Sequence, residues 1–241
     1  GLDDVEGRLR TMQSGPSPNE ATRRDLYLRA RWAARHIALR NPKLDFDRLL
    51  FVKRHDAQGV FHMCDQFYGC NAVPGGGLFV LEDPFGAHPR AVNLLEKTTV
   101  ENGRLAGRSL EGGSFLAPEV AFDGTTILFA HSQATPYATS HGKETYEWGP
   151  EISYHLFRVQ ADGSHLVQLT DGDADDFDPC CLPDGRIAFV SERRGGFLRC
   201  GRHCPVYTLF SMAADGSDLR NLSYHETHEW QPSVTNDGRL V

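Results

Sequence analysis

Two groups of soft ligands stand out in this chain. In Phe61-His62-Met63-Cys64-Asp65 an imidazole and a thiol lie two residues apart, so an extended segment projects both to one side. Imidazole nitrogen and thiolate sulfur suit zinc, which takes about four such ligands in a tetrahedron. His225 and His228, in Tyr224-His-Glu-Thr-His228, are the residues expected to complete the site, with Asp65 orienting an imidazole from behind. The same positions also read as a hydrogen-bonded structural histidine and a buried small thiol. Both readings stay open.

The second group is Cys200-Gly-Arg-His203-Cys204. Its cysteines are four apart in a glycine-containing loop, which allows a disulfide, two thiols, or metal ligation by Cys200, His203 and Cys204. An acidic run follows a different chemistry. Asp171, Asp173, Asp175, Asp176 and Asp178 offer oxygen ligands for calcium, centred on Asp173, Asp175 and Asp176. Equally, they suit a turn whose carboxylates accept backbone N–H bonds. Cys180 and Cys181 are adjacent, so in a strand they face opposite ways and neither pair nor share a ligand. They are expected to be buried free thiols.

Several familiar chemistries are absent from the sequence. There is no G-x-S-x-G elbow, and His225-Glu226-Thr227-His228 is one residue short of a zinc-protease helix motif. Pro74-Gly-Gly-Gly77 lacks the Lys-Ser/Thr of a phosphate loop and reads as a tight turn before a strand. With 25 basic against 32 acidic residues the net charge is −7, which argues against a nucleic-acid or anionic-membrane surface, since both want a basic face. No apolar run reaches the roughly 18 residues of a membrane span, and the given residues show no signal peptide.

The elements that must position these residues repeat. Tyr154-His-Leu-Phe157 returns as Tyr207-Thr-Leu-Phe210, 53 positions on. Asp162-Gly-Ser164 returns as Asp215-Gly-Ser217, and Pro179…Asp184-Gly185 as Pro232…Asp237-Gly238, at the same offset. Earlier copies show at Pro118…Asp123-Gly124 and, more faintly, from Gly77. Asp-Gly between apolar pieces marks hairpins, and four short strands per copy of this length is the pattern of a β-propeller blade. The fold expected is all-β: a partial β-propeller of four-stranded antiparallel blades with an N-terminal α-helix. Residues 1–45 form the helical segment. Residues 46–241 are expected to form an incomplete propeller of about three blades, cut short at the C-terminus.

Alternating strands place the Asp-Gly turns on one rim. The insertions at 55–76, 131–153 and 191–206, and the inter-blade segments 171–177 and 223–229, fall on the other. That second rim gathers most of the histidines and cysteines. Ser17, Pro18 and Glu20 predict a helix start, with Leu26, Ala30, Ala33 and Ile37 as its apolar stripe and Asn41-Pro42 as its end.

The pattern LTDGxxDDFDPxxLPDGRIAFVS resembles the WD40-like repeats of Tol-system propellers. FHMCDQFYG (61–69), PGGGLFVLEDPF (74–85), YHLFRVQADGS (154–164), residues 175–200 and LSYHETHEWQPSVTNDGRLV (222–241) resemble the hydrazine synthase alpha subunit and its uncharacterised relatives. The resemblance implies a scaffold beside c-type haems and a zinc, with Cys64 the foremost ligand, in an extracytoplasmic setting. The chain has no C-x-x-C-H, so haem is expected only from another domain or subunit. The other function the sequence allows is a non-catalytic propeller that binds a protein or a small ligand.

Overall fold

The computed structural model describes residues 5–7, 10–11, 19–55, 67–134, 149–199 and 204–241. His62, Cys64, Asp65, Cys200 and His203, together with Ser17 and Pro18, lie outside the described residues. The chain divides into two compact units, residues 1–48 with 83–89, and residues 49–82 with 90–241.

The first unit contains helix α1 (Glu20–Ala38). Its N-cap is Asn19, whose Oδ1 accepts from the Thr22 backbone N–H and hydroxyl, both at 2.9 Å. The start predicted at Ser17 therefore moves to Asn19, an equally good capping type whose carboxamide satisfies a first-turn donor. Leu26 is buried and Ala30 and Ala33 are half-buried, but Ile37 is 53% exposed. The predicted stripe is covered only along its first half.

The second unit is built of three antiparallel sheets. β1 (Arg48–Lys53), β2 (Gly77–Glu82) and β3 (Arg90–Asn93) form a three-stranded sheet in that order. β4 (Ser114–Val120), β5 (Thr126–Ser132), β6 (His155–Gln160) and β7 (Val167–Gln168) form the next. β8 (Asp176–Cys181), β9 (Ile187–Ser191), β10 (Thr208–Met212) and β11 (Arg220–Asn221) form the third. Each four-stranded sheet meanders, every strand pairing with its neighbour in sequence.

Alternation along β5 explains the packing. Ile127 and Phe129 enter one core with Leu78, Phe115, Phe157 and Val159. Leu128 and Ala130 enter a second with Leu116, Phe177, Ile187 and Phe189. Both faces of the sheet are thus covered by apolar neighbours, and sheets stack face to face.

The repeat is visible in the backbone. Gly163 and Gly216, with φ of +87° and +88°, are 53 apart. A Cβ at either would fall 2.6 Å from Leu94 O or 2.5 Å from Leu169 O respectively, so only glycine lets each turn sit on the preceding sheet. Asp162 and Asp215 each accept from the Ser two residues on, N–H at 2.9 Å and hydroxyl at 2.6 Å.

Cys180 and Cys181 sit at the end of β8, at 5% and 9% exposure, both as free thiols. Burial pushes the Cys181 thiol up to about 11, helped by the nearby Glu119 carboxylate. A thiol held neutral in this way is a poor nucleophile.

Candidate functional site

The rim away from the Asp-Gly turns carries the polar density. At its centre Cys204, 2% exposed, has its Sγ 3.1 Å from Tyr68 Oη and 3.7 Å from His228 Nε2. Aromatic rings enclose the group. Tyr207 stacks on His228 at 4.9 Å, Trp230 meets His228 edge-on at 5.0 Å, and Phe67 packs against Phe177 and Trp230.

His228 has a second duty. Its Nδ1 accepts the Tyr207 backbone N–H at 3.2 Å, as Asp175 Oδ1, 53 positions earlier, accepts the Tyr154 N–H at 2.7 Å. Asp175 thereby ties the start of β8 to the third strand of the sheet before it, and His228 ties the segment after β11 to the start of β10. Because Nδ1 accepts, the neutral ring carries its hydrogen on Nε2. That N–H points at the Cys204 sulfur.

His225 is placed differently. Its Nε2 lies 3.0 Å from Glu229 Oε1 and its Nδ1 2.9 Å from Thr227 Oγ1, so both ring nitrogens are engaged locally. Among the described residues no group of three or more His, Cys, Asp or Glu is arranged to hold a metal ion.

The acidic run is distributed over separate donors. Asp171 pairs with Arg104 at 3.0 Å, and the Asp173 carbonyl accepts from the Ser153 hydroxyl at 2.7 Å. Asp175 Oδ1 also accepts the Gly69 N–H at 2.9 Å. Asp176 is fully buried and takes the Arg193 guanidinium on both oxygens, Nε at 2.9 Å and Nη2 at 2.6 Å. Arg193 Nη2 donates as well to the Asp171 carbonyl at 2.7 Å, which closes the loop between β7 and β8. Asp176 begins β8 rather than lying in a loop.

The structure adds a pair that sequence reading left out. His131 and His155 are directly opposed on β5 and β6, both 2% exposed. Their Nε2 atoms meet the carbonyls of Leu110 at 3.2 Å and Pro150 at 3.1 Å. Burial pulls the His131 imidazole down to about 3 and lowers that of His155 too. His131 is in a strand, not in the insertion assigned to it. A sequence signal existed for His155, since the next copy carries Thr208 at its place.

Meandering four-stranded sheets stacked face to face in series, with the first strand of each sheet against its neighbours, describe one architecture. The fold is that of a β-propeller, here a partial one. The propeller of this chain is similar to part of Kuenenia stuttgartiensis hydrazine synthase, with a TM-score of 0.52 at 14% identity over 80% of this chain and 27% of that one. It also resembles a puromycin hydrolase, TM-score 0.41 at 16% identity over 79% and 22%, and TolB from Acinetobacter baumannii, 0.29 at 11% over 80% and 45%. The chain therefore spans about a quarter of the hydrazine synthase chain it matches. At such identities the likeness concerns fold alone. No protein-family model matches the chain, and no curated protein matches it in sequence. No helix among the described residues is long and apolar enough to cross a membrane.

Proposed function

We propose that this propeller is the scaffold of a hydrazine synthase alpha subunit-like protein, presenting its Cys204 rim to a redox domain or subunit outside these residues and lending that partner a metal ligand. One observation supports the reading above the rest. Cys204 Sγ is held between Tyr68 Oη and the His228 ring, while Cys64 and His62 stand only four and six residues before Tyr68 in sequence.

The described residues do not by themselves complete a zinc site. They bring together one sulfur and one imidazole, and that imidazole already spends its Nδ1 lone pair on Tyr207. In the proposed site Cys204 and Cys64 are the sulfur donors and His62 a nitrogen donor. His228 steadies the Cys204 sulfur with its Nε2–H, as an outer partner does for a ligand. His225 takes no part, because Glu229 and Thr227 hold its ring. With no C-x-x-C-H in the chain, any haem comes from the docked partner. The resemblance on which this reading rests carries an extracytoplasmic setting with it.

Elemental analysis of the full chain purified without chelators tests the proposal. About one zinc per chain is expected, falling to background in Cys64→Ser and in Cys204→Ser, with thermal melts confirming that both variants fold. A wild-type protein without stoichiometric zinc would sink it. That outcome favours the second reading, a non-catalytic ligand- or protein-binding propeller.

A further inference from the structure

The opposite rim, formed by the Asp-Gly turns, holds a cleft of about 310 Å³ between the β4–β7 and β8–β11 sheets. Its walls are largely apolar: Phe122, Leu128, Cys181 and Ile187 line it. The Cys181 thiol, pushed up to about 11, contributes neutral sulfur. Arg158 on β6 reaches into the same cleft. Its Nη1 donates to the Ala214 carbonyl at 2.7 Å, and its charge is felt by the Asp215 carboxylate. A guanidinium has five N–H donors, so most of those on Arg158 remain for another acceptor.

Two further features shape what would fit. Phe122 occupies the turn position where later copies carry Pro183 and Asn236, and it is 74% exposed, more than any other large apolar residue described. A hairpin turn has no structural need of an exposed phenyl ring there. The remaining charges nearly cancel. Asp123 is tied by the N–H groups of Thr125 and Thr126 at 2.7 and 2.8 Å, which hold its carboxyl down at about 2. Arg186 is neutralised by Asp218 at 2.8 Å.

We propose that this inter-blade cleft binds a small monocarboxylate with an apolar tail, its carboxylate on Arg158 and its tail between Phe122, Leu128 and Ile187. The cleft has many times the space that a single water needs, so a small organic ligand fits. Arg158 suits a carboxylate because its planar donors match two oxygens at once. The cleft offers a single guanidinium with free donors, which matches one carboxylate. The site lies on the rim away from Cys204, so it stands or falls independently of the proposed zinc.

Titration of the full chain with octanoate, followed by backbone amide NMR, is the test, with octylamine and 1-octanol as parallel probes. Octanoate should give saturable shifts centred on Thr126, Arg158, Ile187 and Ala214, and octylamine none. Arg158→Gln should weaken octanoate at least tenfold and leave the response to 1-octanol unchanged. Phe122→Ser, at an exposed turn tip that keeps the fold, should weaken octanoate and 1-octanol alike. The proposal is overturned if octanoate shifts do not saturate or centre elsewhere, if octylamine binds as well, or if Arg158→Gln binds octanoate like the wild type.

Discussion

Asp178 Oδ2 accepts the backbone N–H of Gln231 at 2.9 Å, and the two residues occupy the same point of successive repeats, 53 positions apart. Their φ angles are +49° and +48°, and Ala117 in the preceding sheet has +44°. All three precede a proline, Pro118, Pro179 or Pro232, where a left-handed backbone is doubly disfavoured. Pairing of β4 with β5 and of β8 with β9 shifts register at these points, between Leu116 and Glu119 and between Phe177 and Cys180. The first strand of each four-stranded sheet therefore carries a bulge, and the bulge in β8 is bonded to the matching point of the next repeat.

Removing that bond should be measurable. Asp178 is 5% exposed, so Asp178→Ala strands a Gln231 N–H and should cost about 1–3 kcal/mol in chemical denaturation. Asp178→Asn keeps an acceptor and should cost less. Burial pushes the Asp178 carboxyl above its ordinary 3.8, so the folded chain holds this proton more readily than the unfolded one. Its contribution to stability must then fall as pH rises from about 3.8 through the raised value. Asp178→Asn should abolish that component.

The Arg193–Asp176 pair should respond asymmetrically. Asp176 is fully buried and Arg193 is 24% exposed at its side chain. Arg193→Ala leaves a buried carboxylate without its cation, a change that typically costs about 3–5 kcal/mol. The double variant Asp176→Leu/Arg193→Met should recover much of the loss, since the site then holds no charge. Equal destabilisation of single and double variants in urea would contradict this account.

Acid sensitivity should trace to the buried histidines. The folded His131 imidazole, pulled down to about 3 from its ordinary 6.5, stays neutral where the unfolded chain takes up a proton. Stability from this group is complete above about pH 6.5 and is lost as pH falls towards 3, at up to about 1.4 kcal/mol per pH unit. His155 is lowered by burial and acts in the same sense. Replacing His131 by Phe should flatten melting temperature against pH between 6.5 and 4, even if the variant is less stable at pH 7.

Two glycine pairs separate backbone conformation from crowding. Gly185 and Gly238 have φ of +83° and +82° but nothing within 4 Å of an added Cβ. Alanine at either should cost about 1–2 kcal/mol for the left-handed backbone alone. Gly163→Ala and Gly216→Ala add a clash with a carbonyl oxygen of the preceding sheet and should cost distinctly more. Similar melting temperatures for Gly185→Ala and Gly216→Ala would refute the close approach.

Much of the fold was legible because its cues are local. The Asp-Gly turns, the strand alternation and the 53-residue offset lie within short windows, and backbone sterics turn each into the same hairpin wherever it recurs. The burial of Cys180 and Cys181 followed from their place in the first strand of a blade. Helix α1 was legible in type, but its cap and its half-covered stripe depended on which residues face neighbours.

The rim was legible only as a list of residues. Tyr68 touches Cys204 across 136 positions of chain, and Arg104 meets Asp171 across 67. No local window encodes such a meeting, because stacking of sheets decides it. Local sequence was enough for the repeat, the strands and the hairpin turns between them. Tertiary structure alone decided that His228 spends Nδ1 on Tyr207 and aims Nε2–H at Cys204, because a ring's tautomer is set by the partners that packing brings to it.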